Sequence, residues 1–212
     1  MVQGSAGPAL GAPSLADEQR EVAQLRIVRA AGAVLAARGL AATVDDVAEA
    51  AGVSRRTIFR HFATREALFV TVIRAGIRRY AEQIPAPPSG EDLRDWLPEL
   101  LAVTHRLNAR NGRVFWDLVG VQAADLSGEL ALAAEECRES RNRFAASVTG
   151  LLWRSRHGPG EPPQWLVDAV SVQLSAFTTQ SLAGDLDRSP DEVALVSARV
   201  IDAALGSARA TA

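Results

Sequence analysis

The chain has 212 residues, room for one or two domains. Its 48% hydrophobic and 23% charged content is that of a globular protein and excludes a disordered or fibrous one. The net charge of −2 is unevenly spread: residues 1–80 hold eleven arginines against seven acids, residues 81–212 twelve against eighteen. A basic front on an acidic body is the asymmetry of a chain whose one end meets a polyanion. No apolar run approaches the ~18 residues of a membrane span, so no membrane partner is expected. Met1 to Ser14 has neither basic residues nor an apolar core. It reads as part of a disordered leader, residues 1–16, and a cytoplasmic location is expected. The single cysteine, Cys137, cannot staple its own chain and reads as a small buried hydrophobe in a reducing compartment. All 23 basic residues other than histidine are arginines.

Alternating β-type runs are absent, and alanine and leucine dominate, so an all-α chain of about nine helices is expected. The first helix spans about 15–38, with Val22, Leu25, Ile27/Val28, Ala31, Val34 and Leu35 as its apolar stripe and Gly39 ending it. The second opens on Thr43, capped through Asp46, and stops at Gly52. Ser54 caps a third through about His61, and Thr64 caps a fourth running to about Gln83. The Pro/Ala/Ser/Gly run 85–90 is a break. Five further helices follow at about 91–108, 112–123, 127–156, 163–182 and 190–208. Pro98 marks a kink or a first turn, and Ser189-Pro190-Asp191-Glu192 is a strong start signal for the last.

The informative segment is Thr43 to Arg65, TVDDVAEAAGVSRRTIFRHFATR, in which two short helices flank the Ala51-Gly52-Val53 turn. From Ser54 to Arg65 it carries four arginines and a histidine but no acid. Val53, Ile58 and Phe62 are placed to point inward, leaving Arg55, Arg56, Phe59, Arg60 and, further round, His61 for an outer face. Arginine grips guanine edges bidentately, and hydroxyls and helix-end amides hold phosphates. The segment about 26–70, quoted as AAGAVLAARG and TVDDVAEAAGVSRRTIFRHFATREALF, resembles the DNA-binding domain of the tetracycline-repressor (TetR) family.

That resemblance implies an all-α protein in three parts. These are the leader, a helix-turn-helix DNA-binding domain over 17–64, and an effector-binding and dimerisation domain over 65–212. It implies a homodimeric regulator, usually a repressor, that binds a palindromic double-stranded DNA operator and is released by a small, largely apolar effector. Carried over by position, Thr43, Ser54, Thr57, His61 and Arg65 would contact phosphate, and Arg55 and Arg56 would read bases. Phe59 stands where the family has Tyr, so a hydroxyl is lost there and the ring is free to meet a thymine methyl or a sugar. An activator of the same family and an architectural protein without effector remain alternatives. No catalytic motif such as G-x-S-x-G or H-E-x-x-H occurs, and the three histidines lie far apart, so neither enzyme, metal nor cofactor is expected. For the effector chamber the body offers Trp96, His105, Asn111, Phe115, Trp116, Phe144, Trp153, Gln173 and Phe177. Two apolar stripes run along the final helices. One of them, with Trp165, Ala169, Phe177, Val193, Val196, Val200 and Ala204, is assigned to the partner subunit.

Overall fold

A computed structural model describes residues 14–88, 93, 95–119, 126 and 128–208. Its helices are α1 (Leu15–Arg38), α2 (Val44–Ala51), α3 (Arg55–His61), α4 (Arg65–Gln83), α5 (Trp96–Val119), α6 (Gly128–His157), α7 (Gln164–Gln173), α8 (Ala176–Leu186) and α9 (Pro190–Ser207). One 3₁₀ turn, Gly39–Ala41, joins α1 to α2, and no strand occurs among the described residues. No described helix is long and apolar enough to cross a membrane. The leader up to residue 13, the expected starts at Glu91 and Ser127 and the expected helix end over 120–123 lie outside the described residues.

Short-range side-chain bonds start these helices. The hydroxyls of Ser14, Thr43, Ser54, Thr64, Ser175 and Ser189 each accept the amide three residues on. Three of them close full capping boxes, in which Asp17, Asp46 and Glu192 accept the cap's own amide. Those bonds hold the three carboxyls below their ordinary pKa: chiefly the Ser14 hydroxyl for Asp17, and the backbone amides of Thr43 and Ser189 for Asp46 and Glu192. A depressed folded pKa contributes stability that is present above the unfolded value and lost as pH falls through the folded one. Below about pH 4, the ordinary carboxylate range, thermal melts should therefore fall steeply, adding to the loss that begins below about pH 6.5, where histidines held neutral in the fold charge in the unfolded chain. A melting temperature that does not move down to pH 3 would contradict the boxes.

Two glycines set the path of the chain. Gly52, in the left-handed region (φ 63°, ψ 40°), turns α2 toward α3 and returns its amide to Ala48 and Glu49. Gly39 (φ 61°, ψ −149°) ends α1 where a Cβ would lie 1.9 Å from the Asp117 carboxylate of α5. That carboxylate is buried and accepts the Leu40 amide at 2.7 Å, tying the end of α5 to the α1–α2 turn.

Two cores follow. In the first, Ile27, Ala31 and Leu35 of α1 meet Val47 of α2, Ile58 of α3 and Leu68 and Phe69 of α4, and the cluster continues into Leu118 of α5 and Leu130 and Ala133 of α6. Val22 and Leu25, expected on the buried stripe, are exposed because α1 meets its neighbours only from Ile27 onward. The second core joins Leu100 and Leu101 of α5, Val148 and Leu152 of α6, Leu166 and Val170 of α7 and Ile201 and Leu205 of α9.

Two expected boundaries moved. The helices expected at 91–108 and 112–123 are one helix, α5. Asn108 and Asn111, at the expected boundary, are both satisfied inside it. The Asn108 amide donates to Leu174 O and Thr179 Oγ1, and the Asn111 amide to Leu107 O. Pro98 sits in the first turn of α5, where its missing amide costs nothing. The helix expected over 163–182 is instead α7 and α8. Ser175 takes the Thr178 amide and donates to Val172 O, which starts a new helix that runs on to Leu186.

Candidate functional site

α3 stands on the surface of the first core with Ile58 and the following Phe62 buried beneath it. Arg55, Arg56, Phe59 and Arg60 are exposed together on its other side. The hydroxyls of Ser54 and Thr57 are 2.9 Å apart at the helix start. Within the described residues Arg56 and Arg60 make no hydrogen bond or ion pair. Arg55 pairs with Asp45 of α2 at 3.0 Å and lies 5.7 Å from the Phe59 ring centroid. Both members of that pair point to solvent, with side chains 60% and 67% exposed, so the pair is weak and breakable. The cations thus face outward and are not absorbed into the core.

The flanking residues are more committed. The exposed Thr43 hydroxyl already gives and takes bonds with Asp46. The Nε2 of His61 is enclosed without a partner among the described residues. Burial, then the nearby charges of Arg60 and Arg20, lower the His61 pKa, so the ring adds no positive charge at neutral pH. Arg65, expected at phosphate, is engaged within the protein. Its Nε donates to Ala42 O at 3.1 Å, its Nη2 to Ala42 O at 3.0 Å and to Leu40 O, and its Nη1 to Glu66. The guanidinium also caps the Phe69 ring at 4.4 Å. It therefore clamps the turn before α2, with most of its donors turned inward.

Behind this head a cavity of about 280 Å³ opens between α4, α5, α6 and the α7–α8 junction. Ile77, Tyr80, Ala81 and Ile84 line it from α4 and from the residue that ends it; Asn108 and Phe115 do so from α5, and Cys137, Ser140, Arg141 and Phe144 from α6. Of the nine residues expected there, Phe115 and Phe144 line it. Trp96 is core, with its indole donating to Pro85 O. His105 is core as well, held between Thr179 Oγ1 at 2.8 Å and Ser197 Oγ at 3.1 Å. Burial lowers its pKa to about 4, so it stays neutral. Trp153 is buried against His157 at 4.2 Å, and Asn111 is turned back on its own helix. Trp116 and Phe177 are exposed and stack on each other at 5.8 Å, and Gln173 ends α7 away from the lining. The missed signals were two rows at three-to-four spacing: 77, 80, 81, 84 and 137, 140, 141, 144.

Along α7 to α9 Trp165, Val172, Phe177, Leu195, Val196 and Val200 are exposed apolar side chains. Val193, assigned to this stripe, is instead wholly buried in its own subunit, and Ala169 and Ala204 are half-buried. The side of α9 turned inward is Val193, Ala194, Ser197, Ile201 and Leu205, a register that the dense alanine and valine content conceals.

A basic helix after a glycine turn, carried on an all-helical body with a cavity, is a helix-turn-helix arrangement. Residues 27–72, which hold α2, α3 and the glycine turn, match the model of the bacterial regulatory proteins of the tetR family. No curated protein matches the sequence. Among solved structures, the fatty acid degradation regulator FadR from Bacillus halodurans is similar at 18% identity, over 88% of this chain and 96% of that one, with a TM-score of 0.63. A tetR-family transcriptional regulator from Streptomyces coelicolor is similar at 16% identity, over 89% and 84%, with a TM-score of 0.65. FadR from Bacillus subtilis, solved in complex with stearoyl-CoA, is similar at 15% identity, over 87% and 99%, with a TM-score of 0.60. At these identities the likeness is one of fold.

Proposed function

We propose that this protein is a cytoplasmic, homodimeric transcriptional repressor, without catalytic activity of its own. Its two α3 helices read a palindromic operator, and a small, largely apolar effector in the α4–α6 cavity releases it. Residues 17–64 serve as the reading head and 65–212 as the sensing and dimerising body, with α4 contributing to the head's core. The observation that carries the reading is the outward face of α3, where Arg56 and Arg60 stand unpaired among the described residues beside the Ser54 and Thr57 hydroxyls. The exposed apolar row on α7 to α9 supplies a face for a second copy, and two-fold symmetry sets two reading helices about 34–36 Å apart. An effector must favour one spacing of the heads over the other. α5 is built to report it: Asn108 and Phe115 line the cavity, and Asp117, half a turn further on, holds the Leu40 amide at the head.

The test is selection of bound duplexes from random DNA by the purified protein, with its mass measured in solution. The expected result is a dimer at micromolar concentration and an inverted repeat with half-sites one helical turn apart. A monomer, or bound sequences without two-fold symmetry, would refute the proposal.

A further inference from the structure

One member of the cavity's wall is out of keeping with the rest. Arg141 is half-buried on α6 between Cys137 and Phe144. Of the other arginines on that helix, Arg138 pairs with Glu135, Arg143 with Glu139 and Arg156 with Asp202, and Arg154 is exposed to solvent, while Arg74 of α4 grips Glu136 through two bonds. Arg141, the arginine turned to the cavity, pairs with no carboxylate among the described residues. Among the described residues, no Asp or Glu lines the cavity.

A guanidinium remains charged even where burial lowers its pKa, as it does here. The other titratable groups in the wall add no charge at neutral pH. Burial pushes the Tyr80 hydroxyl up to about 12 and raises the Cys137 thiol. Among the described residues the cavity therefore holds one positive charge, that of Arg141, against apolar walls. A partly desolvated, unpaired cation carries a desolvation cost that an anion in the same space would offset. The planar fork of arginine matches a carboxylate through two parallel bonds. The volume, about 280 Å³, lies just below the ~300–1,000 Å³ of drug-sized sites and favours a compact ligand.

Resting on the reading of this cavity as the effector site, we infer that the effector is a small apolar carboxylate. Its acid group is held by Arg141 beside Ser140, and its hydrocarbon body lies against Ile77, Ile84, Phe115 and Phe144.

Calorimetric titration of the full-length protein with octanoate, 1-octanol and octylamine tests it. Octanoate should bind about ten-fold tighter than 1-octanol or better, as a charge-assisted bond inside a partly dry site demands, and octylamine weakest of the three. R141Q should bring octanoate down to the level of 1-octanol and leave 1-octanol unchanged, and R141K should recover part of the difference. Equal binding of octanoate and 1-octanol by the wild type, or a preference that survives R141Q, overturns the anion while 1-octanol binding leaves the effector cavity standing. Binding of none of the three, or binding that the cavity-filling A81W does not disturb, overturns the cavity reading as well. Should R141Q fail to fold, the wild-type preference together with its loss in A81W decides the matter.

Discussion

Replacing Arg56 by alanine is expected to abolish recognition of the selected operator while leaving the fold intact. The side chain is exposed on the second residue of α3 and makes no bond within the described residues, so its removal takes nothing from the folded chain. A bidentate contact to a guanine edge is worth about 1–3 kcal/mol. A two-fold dimer presents it twice, so the loss should reach roughly 2–6 kcal/mol, about 30-fold to 10⁴-fold in affinity. Fluorescence anisotropy on the operator and on a scrambled duplex separates the cases: operator affinity should collapse toward that of the scrambled duplex, which itself barely changes. Operator binding within two-fold of wild type would remove Arg56 from base reading. Arg55 should show a smaller loss, because its wild-type contact first gives up the Asp45 pair.

Arg65→Ala is expected to act on stability. In the wild type its guanidinium satisfies the carbonyls of Leu40 and Ala42, and Ala42 is wholly buried. Leaving the buried Ala42 acceptor unpaired costs about 1–3 kcal/mol, while water can reach the half-buried Leu40 carbonyl; with the cation–π contact to Phe69 a loss of roughly 2–4 kcal/mol is expected. The turn from α1 into α2 should loosen, and operator affinity should fall as α2 loses its seat. The discriminating measurement is affinity against salt. A lost phosphate contact flattens the slope of log K on log salt by about one unit per contact. A lost clamp leaves the slope unchanged and lowers the melting temperature. A flattened slope with an unchanged melting temperature would restore the phosphate role.

These two arginines show where sequence reasoning reaches and where it stops. Both lie in the matched segment, and both occupy positions that the family resemblance assigns to DNA. Arg56 stays outward because Ile58 and Phe62 fix which side of α3 is buried, and that spacing is visible in the chain. Arg65 turns inward because two carbonyls contributed by residues more than twenty positions earlier come within reach of its fork. No local pattern announces them. The cavity follows the same rule. Phe115 and Phe144 line it, whereas Trp96 and Trp153 fill the core, because a large ring stabilises most when fully enclosed. Arg141 reads like any other arginine on a charged helix; the fold turns it to the cavity while Arg138 and Arg143 beside it pair with Glu135 and Glu139.

What the chain alone determined was the work of short-range contacts. Hydroxyls at Thr43, Ser54, Thr64 and Ser189 meet amides three residues away, and Gly52 turns one helix onto the next; such bonds form wherever the residues stand in that order. What only the tertiary structure decided was the work of contacts across long separations. Asn108 meets Leu174 and keeps α5 whole, Asp117 meets Leu40 and fastens body to head, and the packing of α9 buries Val193 while exposing Val196. Each of these depends on which distant surfaces come together, a choice made by the burial of apolar area over the whole molecule and carried by no single segment.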